Sequence, residues 1–426
     1  MRTIFASLLL VSACAVADDS DLDANGGGGK ADDAAACTTR EVRRIERPVI
    51  PGASKSKKFS YAFRVSPGTD PNAPTVIFLP GGPGQTSIEM AREDLAVPPR
   101  YTVVFTDPRG VGCNAPARGE QFPDDFFTSA NLASDVVALV NELKPSSYML
   151  YGISYGTLLG TTTAAQLDAA KVAPPIAVVL EGVVTRAFQP GEEAAEYSRQ
   201  WAAALARQAP EIQRQFTGDT LPLGLDAKAW GGAISQWLSM GTITGTGNLL
   251  DMHLGALTPG QSQMTLDAVK MGVEQYAAGS AHSSHAPQLL HLFERVGCRE
   301  ITETNFDLFH LTGGKLQPVG DVCSRFDLAT PYDAKDHPVR SPIFYLNGER
   351  DPNTPHTLAL AHVAAQPQTD RAFISVPDGG HNPFSLSLGG CAPALWSSFE
   401  ARGAGLEQAL ATCEAATKLQ RFPAAR

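Results

Sequence analysis

The sequence predicts an α/β protein in which a mostly parallel central sheet carries helices on both faces and is interrupted by an inserted helical cap. Short apolar strands alternate with helices between residues 58 and 181. The strand pattern then stops, helical spacing follows, and strands resume near residue 342. Strands that alternate with helices of this length imply right-handed crossovers and a parallel sheet covered on both faces.

The individual elements follow from the periodicity of the apolar residues and from the turn signals between them. Strands are predicted over residues 59–65 (an edge strand), 75–79, 101–106, 147–151, 176–180, 342–346 and 372–376. Helices are predicted over residues 132–143, 155–167, 354–365 and, closing the chain, 406–419. Apolar stripes at helical spacing predict the cap, and three of the four tryptophans (Trp201, Trp230 and Trp237) fall in it. They either line an apolar substrate pocket or pack the cap core.

We therefore divide the chain into five segments. Residues 1–14 form an export signal, 15–36 a flexible tether, 37–181 the first part of the core, 182–338 the cap and 339–426 the second part of the core. The tether is rich in aspartate and glycine, and such a stretch buries too little apolar surface to order itself.

The N-terminus has the pattern of an export signal. Arg2 precedes a short apolar run, Ile4–Val11, which is far below the roughly 20 residues that span a bilayer. The run ends in Val11-Ser12-Ala13-Cys14, which resembles the bacterial lipobox and implies lipid modification of Cys14. The alternative is an ordinary signal peptide cleaved after Ala15 or Ala17. Both interpretations of this N-terminal sequence predict an exported protein, either in the bacterial cell envelope or outside the cell.

Export places the remaining cysteines in an oxidising compartment, where an even number favours disulfide bonds. Short loop closures favour Cys298–Cys323 and Cys391–Cys413, which leaves Cys37–Cys113. A zinc site is the alternative, but the chain has no close Cys-x-x-Cys spacing. His282 and His285 form the one close histidine pair. They lie in a Ser/Ala-rich stretch, which we expect to be a solvated loop and not a zinc site.

Composition narrows the range of partners. The 426 residues carry a net charge of −10, and 43% are hydrophobic, too many for a disordered chain. The acidic balance and the absence of a long basic run argue against nucleic acid, which attracts clusters of Lys and Arg. Membrane contact is expected only through the lipid anchor, and no metal or organic cofactor is expected.

The strongest motif is Gly152-Ile153-Ser154-Tyr155-Gly156, which lies between a predicted strand and a predicted helix. In this context the G-x-S-x-G pattern forms a sharp turn that exposes the serine hydroxyl above the sheet. The alternative is a glycine-rich turn that has no catalytic role. We interpret Ser154 as a nucleophile, which needs a general base and a carboxylate to orient that base.

The acid and the base are expected downstream, in the order serine, acid, histidine. Asp351 lies in a turn between a strand and a helix, with Glu349 as a competitor for the same role. His381 follows the last predicted strand in a glycine turn, whereas His253, His291 and His362 fall in helical stretches.

The oxyanion hole requires two backbone N–H groups. We expect one from Tyr155, directly after the nucleophile, and one from Gly82 in the loop after strand 75–79, with Gly81 as the near alternative.

Together these motifs resemble the proline iminopeptidase and tripeptidyl aminopeptidase family of α/β-hydrolases. The resemblance rests on the motifs above together with Asp107-Pro108-Arg109-Gly110-Val111-Gly112 and Gly348–Pro355, in order and spacing across residues 75–385. It implies the triad Ser154, Asp351 and His381, an oxyanion glycine at Gly82, and a structural charge pair of Asp107 and Arg109. One departure is Pro80, where the family usually has a histidine that orients the loop.

The resemblance also implies the removal of residues from the free N-terminus of a peptide. Glu192, Glu193 and Glu196 are candidates to hold the substrate ammonium, although solvated glutamates on a helix face are the alternative. An ester or lactone hydrolase with the same machinery is the main rival function, since fold does not set substrate. A catalytically inactive binding module is disfavoured because all three triad positions are filled.

Overall fold

The structure, a computed structural model, describes residues 37–116, 121–218, 220–283, 292–301, 309–318, 323 and 330–425. The predicted export signal, Cys14 and the tether lie outside these residues, as do His285 and His291.

A nine-stranded sheet forms the centre of the molecule. Its strands in chain order are β1 (Val42–Pro48), β2 (Lys58–Ser66), β3 (Thr75–Leu79), β4 (Thr102–Thr106), β5 (Tyr148–Ile153), β6 (Ala177–Glu181), β7 (Ile343–Gly348), β8 (Arg371–Val376) and β9 (Lys418–Phe422). Their spatial order is β1-β2-β4-β3-β5-β6-β7-β8-β9. In this spatial order the six strands from β4 to β8, which include β3, are parallel. The strands β1, β2 and β9 join antiparallel at the two edges.

The described helices cover the sheet and build the cap. They are α1 (Ser129–Leu143), α2 (Tyr155–Ala169), α3 (Glu192–Ala206), α4 (Pro210–Thr217), α5 (Ala227–Met240), α6 (Leu249–Gly255), α7 (Gln263–Ser283), a π-helix (Phe293–Ile301), α8 (His356–Ala365), α9 (Pro383–Ser387), α10 (Ala392–Glu400) and α11 (Leu406–Leu410).

Both faces of the sheet are buried, as the continuous apolar strands predict. Because successive strand residues point to opposite faces, Ile77 packs with α1, α2 and α8 in one core cluster, and Phe78 packs with α10 and α11 in the other. The predicted α/β-hydrolase architecture, a mostly parallel sheet between two helical layers, is confirmed.

One edge of the sheet differs from the sequence-based prediction. Residues 59–65 do not form an edge strand, because β1 pairs antiparallel with β2 and takes the edge. Four of the seven residues of β1 are charged and none of the seven is buried, so its apolar pattern is weak. Backbone pairing with β2 determines this strand more than its side chains do.

The other edge differs as well. The predicted closing helix over residues 406–419 is wrong beyond Leu410, where α11 ends. Residues 418–422 instead form β9, which pairs antiparallel with β8. The open edge of β8 offers a row of backbone hydrogen-bond groups, and pairing with them overrides the helical spacing of the segment.

The cap lies between β6 and β7 and has its own core. Trp201, Trp230 and Trp237 are buried there with aliphatic residues of α3 to α7. The indole N–H of Trp201 donates to Gly314 O at 2.9 Å and that of Trp230 to Pro222 O at 3.1 Å. Of the two interpretations of these tryptophans, the structure supports packing.

Candidate active site

Ser154 occupies the sharp turn between β5 and α2. Its backbone has φ 55° and ψ −122°, a conformation that L-residues rarely adopt. The flanking glycines permit the close approach: a Cβ atom on Gly156 would lie 2.0 Å from Leu79 O, and one on Gly152 would lie 2.1 Å from Gly156 O. Ser154 is half-buried, and its N–H donates to Glu181 O at 2.8 Å. The turn therefore holds the serine in the strained conformation typical of a nucleophile elbow.

His381 and Asp351 meet in the loops that follow β8 and β7. The His381 Nδ1 atom donates to Asp351 Oδ2 at 2.9 Å, and both side chains are buried. This hydrogen bond leaves Nε2 as the ring nitrogen that can accept a proton. Burial lowers the pKa of His381, but the charge of Asp351 and its hydrogen bond raise the pKa above the ordinary value. The imidazole is therefore oriented and tuned as a base would be.

The Asp351 carboxylate is held by its own turn. Its Oδ1 atom accepts the N–H groups of Asn353 at 2.9 Å and of Thr354 at 3.1 Å. Its Oδ2 atom accepts the Thr354 hydroxyl at 2.5 Å in addition to His381 Nδ1. The role of Thr354 was not predicted from the sequence, although its position three residues after the acid is the signal for such a turn.

Glu349, the other candidate for the acid, binds groups other than His381. Its carboxylate accepts the Lys418 ammonium at 2.7 Å and the Ser375 hydroxyl at 3.1 Å. Of the two carboxylates in this segment, the structure therefore brings Asp351 to the histidine.

The backbone of β6 connects the serine and the histidine. Gly182 follows Glu181, whose carbonyl binds the Ser154 N–H. An added Cβ atom on Gly182 would lie 2.8 Å from His381 Cε1, so the imidazole packs directly on this glycine. The structure thus places the three predicted triad residues around the carboxyl ends of β5, β6 and β7.

The predicted oxyanion loop lies against the nucleophile. An added Cβ atom on Gly81 would lie 3.1 Å from Ser154 Cβ. Gly82 is exposed and has φ +104°, where a side chain would be strained. Tyr155 is the first residue of α2, so its N–H lacks an intrahelical acceptor and can point to a ligand. The loop and the helix terminus together offer the donors that an oxyanion hole needs.

Glu181 is a buried carboxylate that we did not predict as part of the site. Its Oε2 atom accepts the Tyr151 hydroxyl at 2.5 Å, and its Oε1 atom accepts the Phe384 N–H at 2.7 Å. Burial raises the pKa of Glu181 to about 7, against the lowering effects of these two hydrogen bonds and of His381. The available signal was a lone glutamate that ends an apolar strand.

The prediction that Asp107 and Arg109 form a charge pair with each other is wrong, because Arg109 pairs with another carboxylate. Arg109 is fully buried and forms its ion pair with Asp135, with Nη2 and Oδ1 2.6 Å apart. Asp107 is also buried, and it accepts the backbone N–H groups of Ser87 at 2.6 Å and of Cys113 at 2.9 Å. The expected structural role remains, but α1 supplies the carboxylate because Arg109 points toward that helix.

The three candidate glutamates of the cap differ in their surroundings. Glu192 pairs with Arg186 at 2.8 Å and Glu196 with Arg199 at 2.5 Å. Glu193 is 2% exposed, so it is not a solvated surface residue.

The six cysteines within the described part of the chain are joined as Cys37–Cys113, Cys298–Cys323 and Cys391–Cys413. These disulfide bonds are compatible with an exported protein. In the part of the chain that the structure describes, no helix combines the length and the apolar character that a membrane crossing requires.

Two further histidines, His253 and His362, pack against other side chains of the protein. His362 is buried, and its ring contacts the Thr161 hydroxyl at 3.1 Å and the Tyr345 hydroxyl at 3.0 Å. His253 stacks on Trp237 with ring centroids 4.0 Å apart. The side chain of His282 lies outside the described residues.

Residues 74–220 match the family model of the alpha/beta hydrolase fold. This match includes Ser154 and ends before Asp351 and His381. The chain has the α/β-hydrolase fold, with the helical cap between β6 and β7.

The chain is also similar to solved structures of other proteins. A proline iminopeptidase from Mycobacterium smegmatis is 17% identical and has a TM-score of 0.44, over 85% of this chain and 100% of that one. The esterase RhEst1 from Rhodococcus sp. is 15% identical with a TM-score of 0.44, over 85% and 100%. A thermophilic esterase from Thermogutta terrifontis is 16% identical with a TM-score of 0.41, over 86% and 99%. No curated protein sequence is significantly similar to the chain.

Proposed function

We propose that the protein is a serine hydrolase that removes residues from the free N-terminus of peptides through an acyl-enzyme intermediate. The observation that carries the hydrolase part is the combination of Ser154 in a strained strand-to-helix turn with a buried His381 oriented by Asp351. A turn that served only to connect β5 and α2 would not need a backbone in a rarely populated conformation.

The geometry supports the following sequence of steps. Ser154 Oγ attacks the carbonyl carbon of the scissile amide while its proton passes to His381 Nε2. The backbone N–H groups of Tyr155 and Gly82 hold the resulting oxyanion. The C–N bond then breaks as His381 returns the proton to the leaving amine. Water attacks the acyl-serine, again losing a proton to His381, and the carboxylic acid leaves with Ser154 restored.

Each group in this scheme has a physical task. Asp351 stabilises the imidazolium that forms in both steps, since its carboxylate lies 2.9 Å from Nδ1. An oxyanion-hole donor contributes roughly 3 kcal/mol of transition-state stabilisation in known enzymes. Because a Cβ atom added to Gly81 would lie only 3.1 Å from Ser154 Cβ, the loop that carries Gly82 is close enough to serve the same carbonyl oxygen.

The preference for a free amino terminus rests on the resemblance and on one glutamate. The hydroxyl of Tyr197, on cap helix α3, binds Asn353 Oδ1 in the acid turn. Glu193 lies four residues before Tyr197 and thus on the same face of α3. A buried carboxylate on the face that meets the acid turn suits an ammonium group bound close to the triad. We therefore favour Glu193, which is buried, over Glu192 and Glu196, whose side chains are 28% and 19% exposed.

Two measurements test this proposal in order. A fluorophosphonate probe should label Ser154 in the folded protein, and an unlabelled serine would exclude a serine hydrolase. Prolyl and tripeptidyl chromogenic amides should then be hydrolysed, whether or not acyl esters are hydrolysed as well. Turnover of esters alone would show that the protein is instead an ester or lactone hydrolase.

The role of Glu193 has a matched control. Glu193→Gln should raise KM for substrates with a free amino group. It should leave KM unchanged for esters whose amino group is acetylated, because acetylation removes the positive charge of the ammonium group. Glu192→Gln, on the preceding position of the same helix, should leave both KM values unchanged. An equal effect of Glu193→Gln on both substrates would exclude an ammonium site.

We further propose that the protein is exported and held at a membrane by lipid on Cys14. The lipobox-like sequence and the disulfide bonds support this proposal. The full-length protein should partition into the detergent phase of Triton X-114, and Cys14→Ser should move it to the aqueous phase. Aqueous partition of the unchanged chain would exclude the anchor.

A further inference from the structure

Glu181 lies at the point in the sheet where the elements of the triad converge. It is the last residue of β6, between β5, which leads into Ser154, and β7, which leads into Asp351. In register it stands beside Ile153 and Leu346. The side chain is fully buried, so its carboxylate has no access to bulk water.

The carboxylate binds the chain segment that carries the histidine. Its Oε1 atom accepts the N–H of Phe384, three residues after His381, at 2.7 Å. The neighbouring residue, Gly182, packs on the imidazole, where an added Cβ atom would lie 2.9 Å from Nδ1. The end of β6 therefore contacts both the ring of His381 and the backbone that follows it.

The charge of Glu181 is not neutralised by its hydrogen-bond partners, because these are the Tyr151 phenol and a backbone N–H group. The ionisable groups that interact with Glu181 are Tyr151 from β5, Asp351 from the acid turn and His381 itself. Those that interact with His381 are Asp351 and Glu181. An ionised Glu181 therefore adds a second negative charge that acts on the imidazole.

We propose that Glu181 is a positioning residue for His381, which anchors the histidine segment through Phe384 and favours the imidazolium by its negative charge. This inference rests on the proposed hydrolase function for its role in catalysis. A buried carboxylate is costly to ionise, and a glutamine or an apolar residue would meet a purely structural need at lower cost. The carboxylate is therefore explained by its electrostatic effect on the histidine.

The test is the pH dependence of kcat/KM in Glu181→Gln. Glutamine has the same shape and keeps an oxygen for the Phe384 N–H, but it removes the charge. The acidic limb of the profile, which reports deprotonation of His381, should move to lower pH by about half a unit or more. Glu300→Gln is the matched control, because Glu300 is another buried carboxylate with a pKa of about 7 and has no charge interaction with His381. An unmoved limb in Glu181→Gln, or an equal shift in Glu300→Gln, would overturn the inference.

A second measurement does not depend on the folding of Glu181→Gln or on any activity. Coupling between two titrating groups is reciprocal, so the imidazolium must lower the pKa of Glu181 as much as the carboxylate raises that of His381. In protein labelled with 13C at the glutamate carboxyl groups, the titration midpoint of Glu181 should rise in His381→Gln. An unchanged midpoint would refute the coupling. If the unaltered protein hydrolyses neither amides nor esters, the proposed function fails, whereas this titration still decides the role of Glu181.

Discussion

Thr354→Val should weaken catalysis without a comparable loss of stability. The hydroxyl of Thr354 donates to Asp351 Oδ2 at 2.5 Å, and the same oxygen accepts His381 Nδ1 at 2.9 Å. Valine keeps the volume and the β-branch of threonine and removes only the hydroxyl. Asp351 then keeps two backbone donors on its other oxygen, so the turn should remain folded.

The magnitude follows from the kind of bond that is lost. A hydrogen bond to a charged group contributes about 1.5–3 kcal/mol. If that stabilisation applies to the ion pair in the transition state, kcat/KM should fall by about 10- to 150-fold.

The assay is kcat/KM against pH on the best amide or ester substrate, together with the thermal midpoint of unfolding. Thr354→Ser is the control, since serine retains the hydroxyl and should keep most of the activity. A Thr354→Val enzyme within twofold of the unaltered protein would refute the role of the hydroxyl. Equal losses in the serine and valine variants would show that the methyl group matters as much as the hydroxyl.

Three further predictions concern the triad and the disulfide bonds. Ser154→Ala should abolish labelling by a fluorophosphonate and lower kcat by about 10⁶-fold; a Ser154→Ala variant that keeps its activity would exclude Ser154 as the nucleophile. Activity should require neutral His381. Burial lowers the pKa of this imidazole, but the charge of Asp351 raises the pKa above its ordinary value of 6.5. We therefore expect kcat/KM to decrease as the pH falls through this raised pKa. A midpoint below 6.5 would contradict this account. Replacing Cys391 and Cys413 by serine opens a loop of sequence separation 22 and should lower the free energy of unfolding by about 3 kcal/mol, measured by urea denaturation. No change in the urea midpoint would indicate that the bond does not constrain the unfolded chain.

Much of the fold could be predicted because its signals are local. Apolar strands such as β3 and β5 are continuous in sequence, and the glycine-flanked turn after β5 specifies its own geometry through close backbone contacts. The order of strands and helices then restricts the sheet to a parallel arrangement. The edge strands β1 and β9 escaped prediction because they are held mainly by pairing with β2 and β8.

The sequence by itself indicated the serine, the histidine and the chain order of the three groups, since each lies in a turn that its neighbouring residues define, and it restricted the acid to Asp351 or Glu349. Only the tertiary structure decided which groups surround them. Asp351 rather than Glu349 reaches His381, and Asp135 rather than Asp107 pairs with Arg109. Glu181 became part of the site because β6 lies between β5 and β7. Such choices depend on distances between residues far apart in the chain, which are set by the packing of the sheet and the cap and not by any local pattern.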